Sequence, residues 1–225
     1  MNDVLEYLAD LELNNNREWY HSNKERHQKA TAKFERFTGE LIIAIGSFDN
    51  SVLYNIPKDL TFKLVRDTRF SNDKSPYNPR FRAQISSAGK LPIPVGYYIS
   101  LAPGNQSFLG GGLFAAMFKD ATAMVRDYIV DHGKEFESII NDNIFADHFT
   151  LRGEALKNVP KGYDAAHPQA EYLKNKSWYL EYFVPDELIA DTDSFLKRAT
   201  QIFQLMKPFN DYLNTALKDF NMSAL

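Results

Sequence analysis

The spacing of apolar residues changes along this chain from a helical period to an alternating one and back, which limits the folds open to it. Residues 4–11 place apolar side chains at helical spacing, whereas residues 60–65 and 81–86 alternate between apolar and polar side chains. Alternation of this kind is typical of strands with one polar face. The sequence therefore predicts strands in the middle of the chain and helices towards both ends.

Two further segments have the character of strands. Residues 96–114, GYYISLAPGNQSFLGGGLF, read as a hairpin whose turn is formed by Pro103, Gly104 and Asn105. Glycines 110–112 interrupt its second strand and indicate a bulge, or a place where another backbone or a ligand approaches closely. Residues 178–184, WYLEYFV, are apolar enough on both faces to form a central strand. About five strands are expected in total.

Capping residues locate the helices. Asp3 is a candidate N-cap for the first helix, and Asn16 is the candidate N-cap for a second helix of about 30 residues. Asp120 and Asp193 begin two more, and Pro208 predicts a break in the last of these. This order favours an α+β fold with a mainly antiparallel sheet, packed by long N-terminal, central and C-terminal helices. No linker or repeat interrupts the chain, so one domain spanning residues 1–225 is expected.

Composition excludes several classes of protein. The chain has no cysteine, which rules out disulfides, thiolate catalysis and cysteine-rich zinc sites and fits a reducing compartment. The opening MNDVLEYLADLEL lacks the basic and apolar regions of a signal peptide, and no apolar run is long enough to cross a bilayer. A cytoplasmic location without membrane contact is expected. An isoelectric point near 6.0 disfavours general nucleic-acid binding.

Positive charge is concentrated in two segments. Residues 63–82 contain six basic residues and two acidic ones, for a local charge of +4. Residues 156–176 contain four lysines, one aspartate and one glutamate, for a local charge of +2. The remainder of the chain therefore carries −9, because the whole chain carries −3. The two segments are expected to be neighbours in the fold, because separated basic stretches form one site only if they converge.

In the first segment, the position of Arg66 suggests either an anion-binding site or an internal ion pair. Alternation from Phe62 and Leu64 points Arg66 towards the core at the end of a predicted strand, where a guanidinium needs a carboxylate, carbonyls or a ligand anion. The alternative is an internal network of ion pairs that joins Arg66 and Arg69 to Asp67 and Asp73. The sequence leaves both interpretations open.

The second segment contains a tight turn, PKGYD, followed by His167 and Pro168 at the start of a predicted short helix. A helix N-terminus beside lysines such as Lys161 would suit a phosphate or carboxylate. The alternative is a solvated surface turn. Near the N-terminus, Arg17 and Trp19 lie in the first turn of the predicted long helix, where Trp19 either stacks on a ligand or anchors the packing.

Familiar catalytic and cofactor motifs are not found. The three consecutive glycines lack the spacing of a dinucleotide fingerprint, and the chain contains no phosphate-binding P-loop and no G-x-S-x-G motif. The five histidines show no metal-ligand spacing, so no metal site is predicted. The motifs identify no cofactor.

The leading hypothesis is a site that binds, and possibly transforms, a small phosphate- or carboxylate-bearing ligand. Candidate ligand-binding residues are Arg17, Trp19, Arg66, Arg69, Lys74, Tyr77, Arg80, Lys161 and His167. Asp67, Asp73 and His167 are the candidate proton-transfer groups if catalysis occurs. The alternatives are nucleic-acid binding through the same basic residues, and a protein-interaction module that uses the aromatic sheet face.

Four stretches together carry a resemblance to a known family. NNNREWYHSNK, RDTRFSNDKSPYNPRF, GGGL and LKNVPKGYDAAHPQAEYLKNKS resemble the DUF2461 family of conserved hypothetical proteins, over roughly residues 4 to 215. The resemblance implies a single α+β domain. It implies no activity, because none is assigned to the family.

Overall fold

The computed structural model describes residues 1–114 and 118–222. Before the sheet the chain forms α1 (Asn2–Leu13), α2 (Arg17–Ser22), α3 (Lys24–Gly46), a 3₁₀ turn (Asn50–Val52) and α4 (Pro57–Leu60). The strands are β1 (Phe81–Ile85), β2 (Tyr97–Leu101), β3 (Ser107–Leu113) and β4 (Trp178–Val184). Between β3 and β4 lie α5 (Lys119–Ile140), α6 (Asn143–His148) and α7 (Ala170–Leu173), and after β4 come α8 (Asp186–Ala190) and α9 (Thr192–Ala216).

The four strands form one antiparallel sheet in the order β1-β2-β3-β4. Its inner face carries buried side chains such as Ile99, Leu109 and Leu180, which belong to one core with residues of α1, α3 and α9. Its outer face carries the alternating, more exposed side chains. The predicted α+β class and the antiparallel arrangement are confirmed.

The expectation of a fifth strand at residues 60–65 is wrong. Leu60 ends α4, and the following residues make only isolated bridges, from Thr61 to Ala83 and from Val65 to Tyr77. The segment leaves β1 after one backbone hydrogen bond, in which Phe62 N–H donates to the carbonyl of Arg82 (2.9 Å). Alternation of apolar and polar residues predicts which side chains are buried, but it does not predict whether the backbone pairs with a neighbouring strand.

The predicted long second helix is two helices separated at Asn23. The side-chain amide of Asn23 donates to the carbonyl of Trp19 (2.9 Å), and its backbone adopts φ −106° and ψ 24°. Asparagine side chains compete with helical backbone hydrogen bonds in this way. The predicted cap at Asn16 is confirmed, since its side chain accepts from the Trp19 N–H (2.9 Å).

The N-caps of the other predicted helices lie two positions before the residues expected from the sequence. Helices α1 and α5 begin one residue before Asp3 and Asp120, and the cap of α9 is Asp191 in place of Asp193. The predicted break at Pro208 is absent, because α9 continues through it to Ala216. Buried residues on both sides of Pro208 hold the helix against the core, while the proline itself is exposed.

The three consecutive glycines lie inside β3 where α9 crosses the sheet. Gly112 has φ +90°, and a Cβ atom there would lie 2.4 Å from the carbonyl oxygen of Trp178. The buried side chain of Asn210 on α9 accepts from the Gly112 N–H (2.8 Å) and donates to the carbonyl of Gly96 (3.0 Å). The glycines therefore continue the strand and permit a close approach of backbone and helix.

Candidate functional site

The loop at residues 66–75 satisfies much of its own positive charge. The Arg66 guanidinium pairs with the Asp73 carboxylate and also donates to the Ser71 hydroxyl (3.3 Å). Hydrogen bonds from Ser75, together with Arg66, hold the pKa of Asp73 well below its usual range. Asp73 is thus an ionised structural partner, which makes it a poor group for proton transfer.

Arg69 has a partner of its own. Its guanidinium makes a two-point contact with Asp67, with Nε–Oδ1 at 3.0 Å and Nη2–Oδ2 at 2.6 Å. Arg69 is 77% exposed, and its guanidinium lowers the pKa of Asp67. The Lys74 ammonium donates to the carbonyl of Thr68 (3.0 Å). This geometry matches the internal network that the sequence left open, so these residues offer little free charge to a ligand.

Tyr77 is held by α2 and by the turn between α1 and α2. The Asn15 side chain accepts from the Tyr77 N–H (3.1 Å) and donates to the Tyr77 carbonyl (2.9 Å). The Tyr77 ring stacks on Tyr20 with centroids 4.0 Å apart and an angle of 14° between the rings. Trp19 lies 5.9 Å from Tyr7 and packs against the N-terminal helices, and Arg17 is exposed at the start of α2.

Two adjoining cavities of about 430 and 540 Å³ share Asn78 and Arg80. We call them together the Arg80–Arg82 groove. The smaller cavity contains the predicted residues Arg66, Asp73, Tyr77 and Arg80. The larger is lined by Asn78, Arg80, Arg82, Tyr98, Ser100, Gln106, Phe108 and Phe183. Arg80 is a residue predicted from the sequence, whereas the sheet residues of the larger cavity were not predicted.

Arg80 and Arg82 differ from the loop arginines in their partners. Arg80 donates to the backbone carbonyl (3.1 Å) and to the side-chain oxygen (2.7 Å) of Gln106. Arg82 donates to the Lys63 carbonyl at 3.4 Å and lies over the Phe62 ring at 5.4 Å. In the part of the chain that the structure describes, neither arginine forms an ion pair with a carboxylate.

The floor of the groove contains polar atoms without partners. The Arg82 Nε and the Ser100 hydroxyl are buried and make no hydrogen bond in the structure, and Ser100 is only 1% exposed. Register explains why they meet, because Arg82 pairs with Ser100 across β1 and β2. Burial raises the pKa of the neighbouring Tyr98, and the positive charge of Arg82 opposes that rise. Unsatisfied donors at the base of a cavity are typical of a place that a ligand or water completes.

No residue of the second basic segment lines either cavity of this groove. Residues before β1 contact that strand through Thr61, whereas residues before β4 bridge that strand through Arg152 and Tyr179. Strands β1 and β4 are the opposite edges of the sheet, three strand spacings or about 14 Å apart. The expectation that the two basic segments converge is therefore wrong.

The structure places the two candidate residues of the second segment away from the loop arginines. Lys161 is exposed in a turn in which Gly162 has φ +102°. The His167 Nδ1 accepts from the Gln169 N–H (3.2 Å), just before the four-residue helix α7. The neighbouring Tyr163 hydroxyl donates to Asp127 on α5 (2.8 Å). This segment packs on α5 and the β4 edge.

No group of three or more histidine, aspartate or glutamate side chains within residues 1–114 and 118–222 is arranged to hold a metal ion. None of the helices described by the structure combines the length and apolar character needed to cross a bilayer.

The fold and the groove define an α+β protein whose antiparallel sheet carries helices on its inner face and a basic, aromatic-lined groove on its outer face. The chain belongs to the DUF2461 family of conserved hypothetical proteins, which it matches over residues 3–212. No curated protein and no solved structure matches it.

Proposed function

We propose that this chain binds a small ligand bearing a phosphate or carboxylate group in the Arg80–Arg82 groove. The observation that supports this most directly is the pair formed by Arg82 and Ser100, whose buried donors lack partners on the floor of a cavity of about 540 Å³. A guanidinium and a hydroxyl both donate hydrogen bonds to an oxyanion. An anion placed there would satisfy donors that are costly to leave unpaired.

The walls of the groove suggest the rest of the ligand. Tyr98 and Phe108 lie side by side with ring centroids 5.7 Å apart, and Phe183 lies 5.9 Å from Phe108. Cavities of this size with mainly apolar walls and a few convergent polar groups are typical of small-molecule sites. The favoured ligand therefore has a flat or apolar body beside its anionic group.

Binding is better supported than catalysis. Asp67 and Asp73 are ion-paired within their loop, and His167 belongs to the segment at the β4 edge. A general acid or base must reach the proton that it transfers. The groove residues Arg80, Arg82 and Ser100 instead supply charge and hydrogen-bond donors, which are sufficient to hold an anion.

One observation favours single-stranded nucleic acid as a second candidate. Arg82, Ser100, Phe108 and Phe183 occupy one row across the four strands, and the Arg152 guanidinium lies 6.0 Å from the Phe183 ring at the far end. Aromatic rings and arginines on a sheet face can stack bases and follow a phosphate backbone. Binding of an oligonucleotide would then depend on Phe183 as well as on Arg82.

The test is stabilisation by phosphate, compared with sodium chloride at matched ionic strength. Arg82→Met keeps an unbranched apolar side chain but removes the guanidinium together with its contact to the Phe62 ring, and Arg69→Met is the matched control outside the groove. A ligand that binds only the native state raises its melting temperature. We expect phosphate to stabilise the wild type and Arg69→Met equally, and Arg82→Met to bind phosphate at least about tenfold more weakly.

Equal phosphate effects in all three proteins would indicate general salt exclusion from the surface and would overturn the proposal. A short single-stranded oligonucleotide provides the second arm. Tight oligonucleotide binding that is lost in Phe183→Ala, with no effect of free phosphate, would favour the second candidate over the first.

A further inference from the structure

A separate cavity of about 540 Å³ lies between α3 and residues 58–65. We call it the His27 cleft. It is lined by Tyr20, His27, Thr31, Phe34, Glu35, Lys58, Thr61, Phe62, Lys63, Leu64, Val65, Phe81 and Lys90. None of these residues was predicted from the sequence to bind a ligand.

The interior of the cleft is largely apolar. Phe34, Leu64 and Phe81 are buried and form its inner wall, and Phe62 closes one side. Phe34 and Phe81 stack with centroids 5.3 Å apart. An apolar body entering the cleft would exchange contact with water for contact with these side chains, which is favourable in proportion to the area buried.

A small polar cluster interrupts this apolar lining. His27 is half-buried, with its ring nitrogens 3.4 Å from the Tyr20 hydroxyl and its Nε2 3.2 Å from the Thr31 hydroxyl. The buried Tyr7 hydroxyl has no hydrogen-bond partner in the structure, and the Tyr7 ring lies 5.8 Å from the His27 ring. The cleft thus combines apolar walls with a few donors and acceptors, as small-molecule sites do.

Three exposed lysines, Lys58, Lys63 and Lys90, line the same cleft. Among the residues described by the structure, none of the three forms an ion pair. Glu35 is the one carboxylate among the lining residues, so positive charge predominates there. An anionic head group at the lysines, attached to an apolar body inside, would complement both features of the cleft.

We infer that the His27 cleft binds a small amphiphilic acid, with an alkyl or aryl body against Phe34, Phe62 and Phe81 and its anionic head at Lys58 and Lys90. The ligand class differs from that of the Arg80–Arg82 groove in requiring the apolar body for affinity. The two sites have no lining residue in common and draw their cations from different side chains, so each can be tested without the other.

The probe is octanoate, titrated by calorimetry into the full chain, with octanol and inorganic phosphate as the apolar and anionic comparisons. We expect saturable octanoate binding and weaker binding of both comparison compounds. Lys58→Ala/Lys90→Ala should raise the octanoate Kd about threefold to tenfold, because exposed charge pairs contribute modestly. The matched control Lys157→Ala/Lys161→Ala removes two exposed lysines from the segment at the other sheet edge and should leave the Kd unchanged.

Two further readouts locate the bound octanoate. The ring-proton NMR signals of His27 should shift on titration with octanoate. Thr31→Met, which extends a side chain into the cleft, should weaken octanoate binding and leave the stabilisation by phosphate in the Arg80–Arg82 groove unchanged. The inference is overturned by an absence of saturable binding, by equal Kd values in the two lysine variants, or by His27 signals that do not move. These octanoate experiments test the cleft even if phosphate does not bind in the Arg80–Arg82 groove.

Discussion

At the scale of single residues, the Asn15 side chain makes the two hydrogen bonds to the Tyr77 backbone that a neighbouring strand would otherwise make. A carboxamide carries one acceptor and one donor, which is the same pair of groups that a neighbouring backbone presents. Asn15 uses both on the Tyr77 backbone, across 62 positions of sequence. In this way it joins the N-terminal helices to the loop that forms one wall of the Arg80–Arg82 groove.

Asn15→Ala is therefore expected to destabilise the protein by about 1 to 3 kcal/mol, because it leaves backbone groups of a buried residue without partners. Asn14→Ala is the matched control, since Asn14 is exposed and donates only to the Asp10 carbonyl at the end of α1. Its effect should stay within about 0.5 kcal/mol. Urea unfolding of both variants measures the difference, and equal losses would show that the Asn15 hydrogen bonds contribute nothing specific.

At the scale of elements, the contact between β3 and α9 depends on a glycine that has no room for a side chain. Helix α9 presents Asn210 to the strand, and its two hydrogen bonds connect the Gly112 N–H with the carbonyl of Gly96, the residue before β2. Phe209 lies against the same glycine, 2.9 Å from the position that a Cβ would take. These contacts set the distance between α9 and the sheet.

Gly112→Ala and Gly104→Ala separate two costs of replacing a glycine. Both positions have positive φ, +90° and +75°, so both variants incur the backbone strain of an L-residue. Only at Gly112 does the added Cβ meet other atoms, since nothing lies within 4 Å at Gly104. Thermal or urea unfolding should find Gly112→Ala less stable than Gly104→Ala by about 2 kcal/mol. Similar losses would mean that α9 can shift to accept a methyl group.

At the scale of the whole molecule, the N-terminal helices and the β1 edge share an aromatic cluster that contains His27. Its ring lies 5.0 Å from Tyr20 and 6.4 Å from Phe81. Burial lowers the pKa of His27, because the apolar surroundings disfavour the imidazolium. Tyr7 and Tyr20 face it from the helices, and Glu35 and the three cleft lysines are the charged groups nearby.

A lowered His27 pKa makes stability depend on pH with a definite sign. The unfolded state binds a proton more readily than the folded state, so the contribution of His27 is complete above the unfolded pKa and is lost as pH falls through the folded pKa. Between pH 7 and pH 5 the free energy of unfolding should therefore decrease. His27→Gln should flatten this decrease, whereas His21→Gln, at an exposed position on α2, should retain it. Urea unfolding across that range would contradict the assignment if both variants behave alike.

Much of the fold could be predicted because its signals are local. Period-two alternation in residues 81–86 and the turn formers at 103–105 specify strands and a hairpin through contacts between near neighbours in sequence. Helical spacing and the cap at Asn16 act over one turn. The α+β class followed from the order of these elements, and the concentration of charge in residues 63–82 located the loop beside the groove.

The tertiary structure alone decided which of those charges are free. Arg66 and Arg69 form ion pairs with carboxylates of their own loop, whereas Arg82 lies beside Ser100 because of the register of β1 and β2. The order of strands placed Lys161 at the other edge of the sheet, and buried contacts carried α9 through Pro208. The two ion pairs join residues only two and seven positions apart, whereas the other outcomes depend on contacts between residues distant in sequence, whose energies no local pattern records.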